Sequence, residues 1–125
     1  MGSVRRPVRI ANCSGAEPDP GYDLHVRAKH GDADVDRIHM YNQAKYGQVD
    51  VITGDYLAEI NLANNAEAYH RGEHTGWIPT CWDGIEMTVD LLSEKRIKLV
   101  INGGCLNPKG LAEKTHELVS KRKVA

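Results

Sequence analysis

No apolar run in this sequence approaches the ~20 residues of a membrane-spanning helix, so we expect no membrane span. The N-terminal arginines, Arg5 and Arg6, are not followed by an apolar stretch, so no secretory signal is expected either. The charges balance, because 16 basic residues face 17 acidic ones. This balance gives no general attraction to nucleic acid or to an anionic membrane surface. We therefore expect a cytoplasmic protein with neither kind of partner.

The three cysteines, Cys13, Cys81 and Cys105, are odd in number and lack C-x-x-C spacing. We interpret them as reduced thiols of a cytosolic protein rather than as a disulfide framework. Cys13 and Cys105 follow predicted strands, but a cysteine nucleophile needs a base or a lowered pKa, so burial in the core is favoured. The histidines show no metal-ligand spacing, so no metal site is predicted. Nothing in the sequence identifies a cofactor.

Three short apolar runs, each ending in a glycine-containing polar turn, organise the sequence. They cover residues 8–11, 49–52 and 97–101. Predicted helices lie between and after them, at residues 36–46, 55–69, 83–95 and 111–121. Strands that alternate with helices are typical of a parallel sheet built from right-handed crossovers. The sequence therefore predicts an α/β fold: a partial, three-layer Rossmann-like parallel sheet of three to four strands with flanking helices.

The chain reads as one domain with two irregular parts. Residues 1–7 are predicted to be a flexible tail, and residues 8–125 to form the α/β domain. Residues 22–35 are polar, aperiodic and rich in histidine, which predicts a mobile insertion. The end of the sequence, at residues 123–125, resembles the start of a fourth strand. An incomplete sheet edge favours association, so we expect a homo-oligomer or completion by a missing C-terminal portion.

The carboxyl ends of parallel strands meet at one edge of a sheet, which is where ligands bind in open α/β folds. Ten residues follow the three predicted strands: Asn12, Ser14, Gly15, Gly54, Asp55, Tyr56, Asn102, Gly103, Gly104 and Asn107. Amides, hydroxyls and backbone N–H groups suit an anionic carboxylate or a thioester carbonyl. Asp55 is the one charge among them and is the candidate acid–base or orienting group. The other nine are candidate substrate-binding residues.

Most of these residues have an alternative structural role. The pair Gly103 and Gly104 can bind an anion or can permit close packing, and it matches no nucleotide-binding motif. Asp55 can instead cap the next helix, and Tyr56 can belong to the core. The asparagines and Ser14 can satisfy local turns. The residues alone leave these alternatives open.

The strand-end motifs resemble the acyclic terpene utilisation (AtuA-like) family, once catalogued as a domain of unknown function. These motifs are R-I-A-N-C-S-G at residues 9–15, V-D-V-I-T-G-D-Y-L-A-E at 49–59 and I-N-G-G-C-L-N-P-K-G-L-A-E at 101–113. Two further stretches, N-L-A-N-N-A-E-A-Y at 61–69 and W-D-G-I at 82–85, are similar to the fungal branch. The resemblance covers most of residues 8–125.

The resemblance implies an N-terminal portion of the longer family domain, with residues 25–39 as an insertion that has no counterpart. It implies a role in the catabolism of acyclic terpenoids. The expected ligand is a small carboxylic acid or its coenzyme A thioester, bound at the strand ends. The alternative is a non-catalytic scaffold or an assembly subunit of a larger metabolic complex. Whether the protein is an enzyme stays open at this point.

Overall fold

A computed structural model of the protein describes residues 5–14 and 35–124. Within these residues the elements are β1 (Ile10–Asn12), α1 (Val35–Tyr46), β2 (Val51–Gly54), α2 (Glu59–His70), α3 (Pro79–Lys95), β3 (Lys98–Ile101) and α4 (Pro108–Arg122). The predicted α/β fold with a partial parallel sheet is confirmed. The predicted mobile insertion lies almost entirely outside the described residues.

The sheet has the strand order β1-β2-β3, and both pairs are parallel. Asn12 pairs with Thr53 across β1 and β2, while Gly54 pairs with Ile101 across β2 and β3. In this register the three strands end side by side. Whatever follows each strand therefore lies at one edge of the sheet.

One face of the sheet is covered by helices. Ile52 of β2 is fully buried in the core, and α1 lies against both α3 and β2. Side chains alternate between the two faces of a strand. On the opposite face, Ile10 and Val100 are 65% and 61% exposed. No helix in the described part of the chain covers these two side chains, so the third layer stays a prediction.

The core between the sheet and the helices follows the predicted helical pattern. Ile85, Val89 and Leu92 recur at helical spacing along α3, and all three are buried. At the end of α3 the Lys95 ammonium donates to the backbone oxygens of Ala44 and Lys45, both at 2.7 Å. These bonds satisfy carbonyl groups at the C-terminal end of α1 and tie α1 to α3.

Three helices begin at residues other than those predicted. Pro79 and Pro108 each lie in the first turn of a helix, so α3 and α4 start before residues 83 and 111. Proline fits there because the first helical N–H groups have no intrahelical acceptor. In contrast, α2 begins at Glu59 rather than near Asp55. No helix in the described residues is both long and apolar enough to cross a membrane.

Asp50, just before β2, holds the segment that leads into β1. The Arg6 guanidinium donates to both of its carboxylate oxygens, at 2.6 and 2.8 Å, and the Arg9 backbone N–H donates at 2.8 Å. The hydrogen bonds from the Arg6 side chain, followed by the one from the Arg9 backbone, lower the pKa of Asp50. Part of the predicted flexible tail is thereby tied to the sheet.

We expect Asp50→Asn to remove a pH-dependent part of the stability. Because the folded-state pKa lies below the unfolded value of about 4, the ionised carboxylate stabilises the fold above about pH 4. That contribution is lost as the pH falls through the folded-state pKa. Urea denaturation of both proteins at neutral pH and at about pH 3 should show the difference in unfolding free energy shrinking on acidification. A difference that does not depend on pH would contradict this assignment.

Candidate functional site

Asp55 and Asn102 join the ends of β2 and β3. The Asn102 Nδ2 donates to Asp55 Oδ1 at 2.7 Å, and Asn102 Oδ1 accepts the Tyr56 backbone N–H at 2.7 Å. Both Asp55 and Asn102 are exposed. The second carboxylate oxygen of Asp55, Oδ2, accepts no hydrogen bond from the residues that the structure describes. The pair thus presents an oriented carboxylate with one oxygen open to solvent.

Asp55 does not cap a helix. The N-cap of α2 is Ala58, whose side chain makes no cap hydrogen bond. Asp55 Oδ1 instead accepts the Leu57 backbone N–H at 3.4 Å, a long bond within a local turn. The capping alternative for Asp55 is therefore wrong, because Asp55 lies three positions before the N-cap, Ala58.

The end of β1 is tied to the same place. Ser14 Oγ donates to the Asp55 backbone oxygen at 3.0 Å, and the Asp55 backbone N–H donates to the Ser14 backbone oxygen at 2.8 Å. Asn12 is exposed, and its Oδ1 accepts the Thr53 hydroxyl at 3.3 Å. Asn12, Ser14, Asp55 and Asn102 thus lie at one sheet edge. Gly15 lies outside the described residues.

The turn after β3 is tightly packed. A β-carbon on Gly103 would lie 2.6 Å from the Cys81 Cβ, and one on Gly104 would lie 2.6 Å from the Pro108 Cα. Neither glycine has a positive φ, so close approach is what requires glycine here. Their backbone N–H groups donate to no acceptor within residues 5–14 and 35–124. Both glycines are buried, so close packing accounts for glycine at these two positions.

Three other candidate residues serve the fold. Tyr56 is fully buried, with its hydroxyl 3.4 Å from Cys13 Sγ, and a β-carbon on Gly54 would lie 2.6 Å from the Tyr56 ring. Asn107 is the N-cap of α4, where its Oδ1 accepts the Gly110 N–H at 2.9 Å and its Nδ2 donates to Thr75. These positions fit the packing and capping alternatives.

The cysteines behave as core residues. Burial, with a smaller contribution from nearby Cys13, raises the pKa of Cys81 to about 12. Burial also raises the pKa of Cys105. Thiols with raised pKa values are protonated at neutral pH and are poor nucleophiles. Within the described residues, no group of three or more His, Cys, Asp or Glu side chains is arranged to hold a metal ion.

Comparison with known families bears on the strand-end motifs. The sequence model of one family, described as acyclic terpene utilisation family protein AtuA, matches residues 8–125 of this chain. The chain belongs to the AtuA family. No curated protein and no solved structure matches it. The predicted membership is confirmed, and every AtuA-like motif quoted above lies within the matched range.

The sequence patterns did not predict a cavity of about 560 Å³ that lies between the start of α3 and α4. It is lined in part by Trp77, Trp82 and Lys114. The tryptophans are separated from the lysine by more than thirty residues of sequence. No local pattern links such distant positions, so only the packing of α4 on α3 brings them together.

Proposed function

We propose that this AtuA-family chain binds a small carboxylic acid, free or as its coenzyme A thioester, at the carboxyl ends of its strands during the utilisation of acyclic terpenes. The observation that carries the proposal is the Asp55–Asn102 pair. It supplies one open carboxylate oxygen at the edge where open α/β sheets bind ligands. This oxygen suits a proton-donating part of the ligand, since it would repel the ligand's own carboxylate. The family description supplies the terpene context.

Candidate hydrogen-bond donors for the ligand's oxygen follow the ends of β1 and β3, at the same sheet edge as this carboxylate. The backbone N–H groups of Gly103 and Gly104 have no acceptor among the described residues, and Asn12 exposes an amide. The N-terminus of α4 follows the glycine turn and adds partial positive charge. A carboxylate or a thioester carbonyl accepts such bonds. Asp55 would then face the part of the ligand that carries an exchangeable proton.

A test of binding uses Asn12, whose amide takes the least part in the fold. A branched acyclic terpenoid acid and its coenzyme A thioester should raise the melting temperature of the protein, because a ligand that binds only the native state stabilises it. We expect Asn12→Ala to weaken binding about tenfold, as for one lost hydrogen bond. Asn42→Ala, at an exposed position on α1, is the control. Equal weakening in both variants, or no shift in the parent protein, would argue against the site.

A test of the acid–base role uses Asp55→Asn. Asparagine keeps an oxygen for the bond from Asn102, so the melting temperature should stay nearly unchanged. The variant should lose deuterium incorporation, measured by NMR, at the carbon next to the thioester carbonyl. Glu94→Gln, at an exposed position on α3, should keep it. Full exchange in Asp55→Asn would end the catalytic interpretation of Asp55.

The alternative function is a non-catalytic assembly role. It is favoured by the exposed Ile10 and Val100 on the uncovered sheet face and by an apolar groove of about 440 Å³ along Leu99 and Ile101 of β3. Apolar surface of this kind is typical of interaction sites. An assembly subunit should self-associate in light scattering and show no melting shift with the acids. A monomer that responds to the acids supports the binding function instead.

A further inference from the structure

The cavity between α3 and α4 is distinct from the strand-end site, since none of the ten candidate residues lines it. The side chains that matter for its chemistry are Trp77, Trp82, Glu86, Glu113, Lys114 and Glu117. Its volume of about 560 Å³ is within the range of small-molecule sites in proteins. Both tryptophans of the chain are therefore placed in one open cavity.

The aromatic part of the cavity already attracts a cation. The Lys114 ammonium lies 4.6 Å from the centroid of the Trp82 ring and 5.5 Å from that of Trp77. Ammonium groups within about 6 Å of an indole face are attracted by the negative charge of the ring face. The cavity thus holds a flexible, positively charged side chain of the chain itself over two rings that lie together.

The charges around the rings favour a cation over an anion. Three glutamates, Glu86, Glu113 and Glu117, line the cavity against two lysines, Lys114 and Lys121. Within the described residues, Glu86 and Glu117 form no salt bridge, and Glu113 has only a long contact of 3.8 Å with Lys109. A phosphate or carboxylate ligand would be repelled by these carboxylates, whereas an organic cation would be attracted.

We propose that this cavity binds a small organic cation of the alkylammonium class. The cation takes the place of the Lys114 ammonium on the faces of Trp77 and Trp82, while Glu86 and Glu117 balance its charge. Aromatic rings combined with carboxylates are the usual means of recognising quaternary ammonium groups. Lys114 then acts as an internal competitor that sets the affinity, and its side chain moves out to solvent when the ligand enters.

The test uses choline as the probe and the fluorescence of the two tryptophans as the signal, since both line the cavity. Choline should give a saturable change, and the neutral isostere with carbon in place of the quaternary nitrogen should bind at least about tenfold more weakly. Lys114→Met should bind choline about fivefold more tightly, because the competitor is gone. Trp82→Leu should lose the binding, and circular dichroism should show that both variants are folded.

Three results would overturn the proposal. The first is the absence of a saturable signal with choline in the parent protein. The second is equal binding of the neutral isostere, which would make the cavity merely apolar. The third is unchanged or weaker binding in folded Lys114→Met, which would mean that Lys114 does not compete. If Trp82→Leu proves unfolded, Glu86→Gln replaces it and should weaken choline binding several-fold, whereas unchanged affinity there also counts against the site.

Discussion

Replacing Gly103 with alanine is expected to lower the free energy of unfolding by about 2–3 kcal/mol, as for other overpacked interiors. The added methyl group would lie 2.6 Å from the Cys81 Cβ and even closer to its sulfur, so either the turn or α3 must shift. Cys81 is fully buried and cannot move into solvent. Urea denaturation, with the midpoint and the slope both fitted, measures the loss.

The contact with Cys81 can be isolated by a double-mutant cycle. In a Cys81→Ala background, Gly103→Ala should cost at least about 1 kcal/mol less, because the sulfur is absent. Gly72→Ala is the control, since Gly72 has a φ of +75° and nothing within 4 Å of its added methyl group. That change should cost about 1 kcal/mol through backbone strain and should add independently to Cys81→Ala. Strict additivity of Gly103→Ala with Cys81→Ala would contradict the packing explanation.

Tyr56→Ala is expected to be the most damaging single substitution, with a loss of about 3–5 kcal/mol. Tyr56 is among the largest of the fully buried side chains and packs against Gly54 below the strand ends. Removing the ring leaves a cavity that the surrounding residues can fill only in part. Thermal unfolding followed by circular dichroism should show a large fall in melting temperature.

Tyr56→Phe is the matched control for that prediction. It keeps the ring and removes the hydroxyl, which lies 3.4 Å from Cys13 Sγ. A neutral hydrogen bond contributes about 1 kcal/mol, so this variant should lose far less than Tyr56→Ala. If the two variants were equally unstable, the stabilisation would come from the hydroxyl rather than from burial of the ring.

The sheet could be predicted because its signal is local. β-Branched runs that stop at glycine turns mark β2 and β3 to within a few residues, and alternation with helices predicts parallel pairing. The first residues of the helices were predicted less accurately than the strands. Prolines such as Pro79 and Pro108 are compatible with either the end or the start of a helix. Proline ends a helix from within but starts one at its first turn, and the sequence does not say which applies.

The candidate site could be predicted only as a location. Parallel strands end at the same edge, so Asn12, Asp55 and Asn102 were expected to lie together there, and the structure places them at that edge. Which of them bond to one another depends on side-chain packing between distant residues. Asn102 donates a hydrogen bond to Asp55, which lies 47 positions earlier in the sequence. Gly103, in the turn after β3, packs against Cys81 of α3. Contacts between residues so far apart leave no repeating pattern in the sequence. The roles of these residues in binding stay predictions.

The two bonds of Asn102 have a stereochemical consequence. A backbone N–H can only donate, so the bond from Tyr56 fixes which end of the Asn102 amide is oxygen, and the NH₂ end must then point at Asp55. Asp55 Oδ1 is thereby committed, and only Oδ2 can meet a ligand. A ligand held in one orientation at the strand ends would turn one face of a prochiral carbon toward Oδ2. Any proton that Asp55 exchanges would therefore be exchanged on that face alone, giving one enantiomer of the product.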